Sequence, residues 1–185
     1  EIMLQSFGAN LNIKKEESKT IINIVGKKEL QSKNIFIPSD LSSSAFFIVA
    51  ALINKNSRIL LNDININETR DGIIKALRMM NAKIHLHNKR SLNDEIISDI
   101  IVESSELNGC ELDAEMAKLM IDEYPILSVA ASFAKSPSIF RGLKELKIKE
   151  SNRLELIRTN LQKCGVYCRV NNDELFIDPT KNIPI

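Results

Sequence analysis

Apolar residues recur at the three- and four-residue intervals of an amphipathic helix in four parts of this chain. These intervals predict four helices, at 42–53, from Thr69 to Met80, at 124–134 and from Asn152 to Leu161. Thr69 is the predicted N-cap of the second helix, and Ser151 or Asn152 that of the fourth, because their side-chain oxygens can accept backbone N–H bonds. A further short helix is predicted at 1–7, directly before a strand.

Short runs rich in Ile, Val and Phe lie between the helices and predict β-strands. These strands are expected at 21–25, 35–38, 58–62, 82–87, 97–102, 138–141, 165–170 and 174–177. The polar stretch at 88–95 predicts a mobile hairpin or an insertion.

The same order of helices and strands occurs twice, with a period close to 80 residues. Ala50 matches Ala130 at an offset of 80 positions, and Ala82 matches Gly165 at an offset of 83. A repeated βαβαββ unit accounts for this order, so the predicted fold class is α/β of the α+β type. The predicted repeats lie at about 34–102 and 110–178.

A polar stretch at 26–34 predicts a boundary between two domains. Residues 1–33 would then form the end of one domain, and residues 34–185 most of a second. Because no Met precedes Glu1, we expect the chain to be a fragment of a longer protein.

The composition of the 185 residues, 44% of them hydrophobic, predicts a globular chain with a buried core. Lys and Arg total 25 against 24 Asp and Glu, and the net charge of +1 argues against a nucleic-acid partner. The longest apolar stretch, 45–53, is too short to cross a bilayer, and no signal-like segment opens the chain. We therefore predict a cytoplasmic protein with no membrane partner.

Cysteine and histidine positions predict neither a disulfide framework nor a metal centre. The three cysteines, Cys110, Cys164 and Cys168, are an odd number without Cys-x-x-Cys spacing. His85 and His87 share one face of a predicted strand, but no third ligand lies near them in sequence. No metal or other cofactor is predicted.

The main candidate for chemistry is the cluster of Lys149, Glu150 and Arg153 at the start of the fourth helix. A helix N-terminus presents free N–H groups and the positive end of the helix dipole, and both favour anions. Two cations placed there oppose the dipole, which indicates that they serve an anionic substrate. A simpler interpretation also stands, in which Glu150 neutralises one of the cations.

Other acids and an arginine near helix starts have structural interpretations beside functional ones. Asp122 is either an N-cap for the helix whose first turn contains Pro125, or part of a site. Asp40 lies among serines and is best explained as a cap. Arg70 is predicted to pair with Asp71 or with its own loop.

Four motifs together resemble the 5-enolpyruvylshikimate-3-phosphate synthases (EPSP synthases), most closely their glyphosate-tolerant bacterial branch. They are PSDLSSSAFF at 38–47, NETRDG at 67–72, MIDEYPIL at 120–127 and LKIKESNRL at 146–154. The resemblance extends over nearly the whole chain. It implies the enolpyruvyl transferase fold, in which two domains of three βαβαββ units each pack helices inside sheets and enclose the active site between them.

The resemblance implies transfer of the enolpyruvyl group of phosphoenolpyruvate to the 5-hydroxyl of shikimate 3-phosphate, with release of phosphate. By motif position, Asp122 would bind shikimate 3-phosphate and accept the hydroxyl proton, and Glu150 would handle the proton at the methylene carbon. Lys149 would contact shikimate 3-phosphate, and the planar guanidinium of Arg153 would hold phosphoenolpyruvate. A carboxyl kept protonated by a neighbouring carboxylate would serve as the acid.

Two positions depart from the family pattern, since Ser39 replaces a glycine before Asp40 and Asn152 replaces an aspartate before Arg153. The latter change removes a possible orienting partner of the guanidinium. Family members are longer and contribute further lysines and arginines from outside this chain. We therefore expect no transferase activity from the chain alone. The resemblance implies that the full-length enzyme is a monomer.

Two alternatives remain beside this interpretation. One is a related transferase acting on a UDP-linked amino sugar, UDP-N-acetylglucosamine, although that enzyme lacks the Lys-Glu-Ser-x-Arg pattern. The other is a non-catalytic binding domain of the same fold. The joint presence of Asp122, Lys149, Glu150 and Arg153 argues against the second alternative.

Overall fold

Two units that share the order helix, strand, helix, strand, strand make up most of the computed structural model, which describes residues 1–17 and 19–181. Ahead of them lie α1 (Ile2–Ser6) and an antiparallel hairpin of β1 (Asn10–Lys15) and β2 (Thr20–Val25). The first unit contains α2 (Leu41–Ile53), β3 (Arg58–Asn65), α3 (Gly72–Met79), β4 (Lys83–Leu92) and β5 (Glu95–Glu103). The second contains β6 (Glu111–Leu112), α4 (Ala114–Met120), α5 (Tyr124–Ser132), β7 (Ser138–Phe140), α6 (Arg153–Lys163), β8 (Tyr167–Asn171) and β9 (Glu174–Asp178). Two 3-10 turns, Ile121–Glu123 and Lys144–Lys147, lie in the second unit.

Each unit builds its own sheet, and the two sheets have the same strand arrangement. In the first, β5 pairs antiparallel with β3 and β4, which gives the order β3-β5-β4. In the second, β9 lies between β7 and β8 in the same way, and the short β6 adds a parallel edge beside β7. Ser39 makes a single parallel bridge to Ile64 of β3, in the place that β6 takes in the second unit. The predicted βαβαββ repeat and the mixed α/β fold class are confirmed.

The predicted strand at 35–38 is wrong. Ile35, Phe36 and Ile37 are exposed, and no strand among the described residues pairs with them. An extended segment becomes a strand only when a neighbour satisfies its backbone N–H and C=O groups. The apolar run is present, but its pairing is reduced to the one bridge at Ser39.

Two features differ from the sequence prediction, one of them a hairpin and the other a helix. The stretch at 88–95 continues β4 and β5 as a tight hairpin, with Asn93 and Asp94 at its turn and φ values of 51° and 65°. Positive φ at both central residues is the geometry that closes a two-residue hairpin. The second difference is α4, which was not predicted. Asp113 caps it by accepting the backbone N–H groups of Glu115 and Met116 at 3.1 Å.

The start of α3 also differs from the prediction, because Thr69 does not cap it. The hydroxyl and the N–H of Thr69 both bond to Oδ1 of Asn67, at 2.8 and 2.9 Å, and so form a local turn. The helix begins at Gly72. At this position a Cβ atom would lie 2.9 Å from the Cβ atoms of Leu119 and Met120, so the glycine permits close contact between α3 and α4.

The helices of the two units pack their apolar faces into one core shared with the sheets of both units. None of the residues of α5 is exposed, and this helix contacts α2, α6 and β9. Ser42, in the first turn of α2, hydrogen-bonds to Glu123, directly before α5. The N-termini of these two helices therefore lie side by side, and this arrangement positions the site.

The predicted domain boundary falls on an exposed segment, 26–34, that contains neither helix nor strand. One backbone bond, from the N–H of Gln31 to the carbonyl of Phe7 at 2.9 Å, ties it to α1. Its role as a boundary stays a prediction, and the end of the predicted second domain, 182–185, lies outside the described residues.

The site of Gly109 leaves no room for a side chain, because a Cβ there would lie 1.9 Å from the carbonyl oxygen of Pro137. We expect Gly109→Ala to lower the free energy of unfolding by about 1–3 kcal/mol, the usual cost of overpacking. Gly26→Ala is the control, since nothing lies within 4 Å of a Cβ at Gly26. Urea unfolding measured by circular dichroism compares them, and equal effects would contradict the close contact.

Candidate active site

Asp122 lies in the 3-10 turn between α4 and α5, but it caps neither helix. The N-cap of α5 is Glu123, which makes no side-chain capping bond. The capping interpretation of Asp122 is therefore wrong. Instead, its Oδ1 atom lies 3.1 Å from Nη1 of Arg153 and 3.5 Å from Nζ of Lys149.

Arg153 is the first residue of α6, and it contacts both Asp122 and Glu150. Its Nε and Nη2 atoms donate to Oε1 of Glu150 at 2.9 and 2.6 Å, while Nη1 donates to Asp122. Asn152 caps α6 by accepting the backbone N–H of Glu155 at 3.1 Å, so its substitution for aspartate leaves the helix start intact. Glu150 and Asp122 orient the guanidinium.

The four residues proposed from the sequence thus converge on one surface cluster, here called the Arg153 cluster: Asp122, Lys149, Glu150 and Arg153. Their side chains are exposed by 46%, 32%, 67% and 29%. Ion pairs this open to solvent contribute little to stability, because water competes for the same charges. An incoming anion can therefore replace a carboxylate on Arg153 at small cost.

The charge state of the cluster follows from its hydrogen bonds. The bond from Arg153 lowers the pKa of Glu150 below its ordinary value of 4.5, and the charges of Arg153 and Lys149 act in the same direction. The same bond raises the pKa of Arg153. Glu150 is therefore a carboxylate at neutral pH in this geometry. The expectation that a neighbouring carboxylate keeps it protonated is wrong here, because the nearer partner is a cation.

The corresponding place in the first unit holds different chemistry. Asp40 caps α2 by accepting the N–H and the hydroxyl of Ser43, both at 2.7 Å, so its interpretation as a cap is confirmed. Desolvation alone would raise the pKa of Asp40, but the bonds from Ser43 and the charge of Arg70 outweigh it and lower the pKa.

The predicted pairing of Arg70 is wrong. Asp71 pairs with Lys75 at 2.6 Å, and Nη2 of Arg70 lies 3.3 Å from Oγ of Ser42. Arg70 also lines a cavity of about 60 Å³ together with Lys118 and the Asp122 turn. It therefore points from the first unit towards the second.

Sequence reasoning missed Glu123, which is only 5% exposed and accepts a hydrogen bond from the hydroxyl of Ser42. These residues are 81 positions apart, close to the repeat period. Equivalent helix starts of a repeat that pack side by side bring such positions together, so the period itself was the available signal.

The thiols and imidazoles stay apart from this cluster. Burial raises the pKa of Cys110 to about 11 and also raises the pKa of Cys168, which keeps both thiols protonated at neutral pH. The rings of His85 and His87 lie 6.5 Å apart, and no group of three or more potential metal ligands occurs in residues 1–17 and 19–181. In the same described ranges, no helix has the length and apolar content needed to span a bilayer.

Several known proteins with similar sequences bear the same name. The family model described as EPSP synthase (3-phosphoshikimate 1-carboxyvinyltransferase) matches residues 1–183. The 3-phosphoshikimate 1-carboxyvinyltransferase of Petrotoga mobilis is 44% identical over 167 residues, which cover 90% of this chain and 38% of the relative. The enzyme of that name from Cereibacter sphaeroides is 41% identical over 184 residues, with coverage of 100% and 41%. This chain thus spans about two fifths of the length of these relatives.

Two solved structures are similar to this fold. An EPSP synthase from Acinetobacter baumannii superposes with a TM-score of 0.88 at 35% identity, over 97% of this chain and 40% of that one. The enolpyruvyl transferase NikO from Streptomyces tendae superposes with a TM-score of 0.61 at 17% identity, over 98% of this chain and 39% of that one. The second similarity concerns the fold alone.

The pairing within the Arg153 cluster predicts a change in titration. Replacing Arg153 by Gln should raise the pKa of Glu150 towards 4.5, because the bond that lowers it is lost. The folded-state pKa is depressed, so the pair stabilises the fold above the ordinary pKa, and this contribution disappears as the pH falls through the depressed value. Carboxyl ¹³C NMR of Glu150 measures the change.

The matched control is Arg158→Gln. Arg158 lowers the pKa of Glu155 in the same way, through a bond of 3.0 Å from its Nε. This variant should raise the pKa of Glu155 and leave that of Glu150 unchanged. An unchanged Glu150 titration in Arg153→Gln would show that the pair does not form in solution.

Proposed function

This chain belongs to the EPSP synthase family, and on that premise we propose that it takes part in enolpyruvyl transfer from phosphoenolpyruvate to the 5-hydroxyl of shikimate 3-phosphate. The observation that carries the proposal is the convergence of Asp122, Lys149, Glu150 and Arg153 on one exposed cluster. Because the chain spans about two fifths of its relatives, we propose that it supplies one side of an active site. Residues 34–185 would belong to one domain, and 1–33 to the end of another.

Arg153 is the proposed binding residue for phosphoenolpyruvate. Its guanidinium already holds two carboxylate groups, one through Nη1 and one through Nε and Nη2. A planar fork of donors suits a carboxylate or a phosphate equally well. A bound phosphoenolpyruvate would take over donors that Glu150 occupies in the free protein. Lys149, beside it, would contact the phosphate of shikimate 3-phosphate.

Asp122 and Glu150 are the proposed proton-transfer groups. Asp122 would accept the proton of the 5-hydroxyl while the hydroxyl oxygen bonds to the central carbon of phosphoenolpyruvate. At the same time the methylene carbon gains a proton and becomes a methyl group. The tetrahedral intermediate then loses one methyl proton and the phosphate group, which takes the proton held by Asp122 as its C–O bond breaks. Glu150 would deliver and remove the proton at this carbon, and its release from Arg153 by the substrate would raise its pKa towards the range that an acid needs.

The proposed partners are these two small anions. We also propose that the protein acts in the cytoplasm, and that the complete enzyme is a monomer in the shikimate pathway, which leads to aromatic amino acids. A transferase for a UDP-linked amino sugar receives no support from the relatives described above, since each bears the name 3-phosphoshikimate 1-carboxyvinyltransferase.

The isolated chain should show no transferase activity, because the Arg153 cluster provides one side of a site that needs further cations for two phosphorylated substrates. The purified 185 residues, incubated with phosphoenolpyruvate and shikimate 3-phosphate, should release no phosphate above background. Phosphate release at a rate comparable with a complete EPSP synthase would contradict the division of the site.

A chimera gives the positive test. The chain replaces the matching residues of the Acinetobacter baumannii EPSP synthase, to which it is 35% identical. Lys149→Met should weaken shikimate 3-phosphate binding by roughly 10- to 100-fold, the usual effect of losing a charge-assisted hydrogen bond.

Lys144→Met, in the neighbouring 3-10 turn, is the control for Lys149 and should leave the affinity unchanged. Isothermal titration measures both. Equal affinities in the two variants would remove Lys149 from the proposed site, and a chimera that neither binds nor turns over shikimate 3-phosphate would contradict the proposed function.

A further inference from the structure

The hydrogen bond between Ser42 and Glu123 joins the two repeat units directly beside the Arg153 cluster. Ser42 belongs to the first turn of α2, and Glu123 ends the 3-10 turn that carries Asp122. Glu123 is 5% exposed, whereas the side chain of the adjacent Asp122 is 46% exposed. Two neighbouring acids thus face opposite environments.

The buried carboxylate of Glu123 is compensated from the first unit. An ionised group in the interior requires hydrogen bonds or opposite charge. The hydroxyl of Ser42 supplies the bond, and the N-terminus of the 13-residue α2 supplies the positive end of a helix dipole. The guanidinium of Arg70, 3.3 Å from the same hydroxyl, adds a full positive charge nearby.

This anchoring fixes the backbone that carries Asp122. Glu123 is held by α2 on one side, and Tyr124, the next residue, is fully buried in the core against Phe140. The side chain of Asp122 makes no capping bond to the backbone, so no such bond fixes its position. Its distance from Arg153 and Lys149 therefore depends on where Glu123 and Tyr124 hold the turn.

We propose that Glu123 and Ser42 are positioning residues, which act on the reaction through Asp122 and touch no substrate. The proposal rests on the proposed function for its kinetic consequence, but not for its structural one. Glu123 holds the turn, the turn places the Asp122 carboxylate, and Asp122 meets the 5-hydroxyl of shikimate 3-phosphate. Arg153 keeps two bonds to Glu150 that do not involve this turn.

The kinetic test uses Glu123→Ala, Glu123→Gln and Ser42→Ala in the chimera. A small misplacement of a reacting group lowers rates on the order of tenfold to a hundredfold. Glu123→Ala should therefore lower kcat and raise KM for shikimate 3-phosphate on that scale. KM for phosphoenolpyruvate should change less than about twofold, because Arg153 lies on α6 and not on the turn that Glu123 holds. Glu123→Gln retains an oxygen that accepts the Ser42 hydroxyl and should recover most of the loss.

Two controls make this outcome specific. Glu115→Ala removes an exposed acid from α4 and should leave all three constants unchanged. The double variant Ser42→Ala with Glu123→Ala should lose no more activity than Glu123→Ala alone, since both single changes break the same hydrogen bond. Equal rises of both KM values, full activity in Glu123→Ala, or failure of Glu123→Gln to recover would each overturn the proposal.

Hydrogen exchange measured by mass spectrometry on the 185-residue chain provides the second measurement, which needs no substrate. In Ser42→Ala, and in Glu123→Ala if it folds, exchange at 121–124 should rise by about tenfold or more, while exchange in α6 stays as in the parent. A uniform rise through α5 and α6, or none, would overturn the positioning role. If the parent chimera is inactive, the proposed function fails, and this measurement still decides the role of Glu123.

Discussion

One guanidinium group organises the candidate site, because Arg153 is the only residue that contacts both of its acids within the described ranges. Its three nitrogens divide between Glu150 and Asp122, which come from different elements of the second unit. Without this shared cation, two carboxylates and one lysine would have no common centre. The arrangement also sets the ionisation of Glu150, whose pKa it lowers.

The repeat explains why this cation lies where it does. Within each βαβαββ unit, the N-termini of two helices lie close together. Between the units, α2 and α5 meet at their N-termini through Ser42 and Glu123. In the second unit this geometry gathers Asp122, Lys149 and Arg153. In the first it gathers Asp40 and Arg70, but Asp40 is committed to capping α2. The same scaffold thus supports an exposed ion-pair cluster in one copy and a helix cap in the other.

Sequence patterns predicted the repeat, and they predicted the grouping of Lys149, Glu150 and Arg153 because these residues are neighbours in the chain. Asp122 was added to the site by the family resemblance. The helix over 42–53 and the Asn152 cap follow from spacing and side-chain chemistry within a few residues. The failures depend on distant contacts. The strand at 35–38 lacks a partner, Asp122 is drawn from capping to Arg153 across 31 positions, and Arg70 contacts Ser42 rather than Asp71. Residue spacing cannot reveal which of several possible partners a charged side chain chooses.

The exposure of the two cations, Lys149 and Arg153, makes them sensitive to dissolved salt. About a third of the Lys149 side chain and of the Arg153 side chain is open to solvent, at 32% and 29%. Dissolved ions reach such charges, and at physiological ionic strength their screening acts over about 8 Å. The attraction of any anion to this surface therefore weakens as the salt concentration rises, so the affinity of the cluster for anions depends on the surrounding electrolyte.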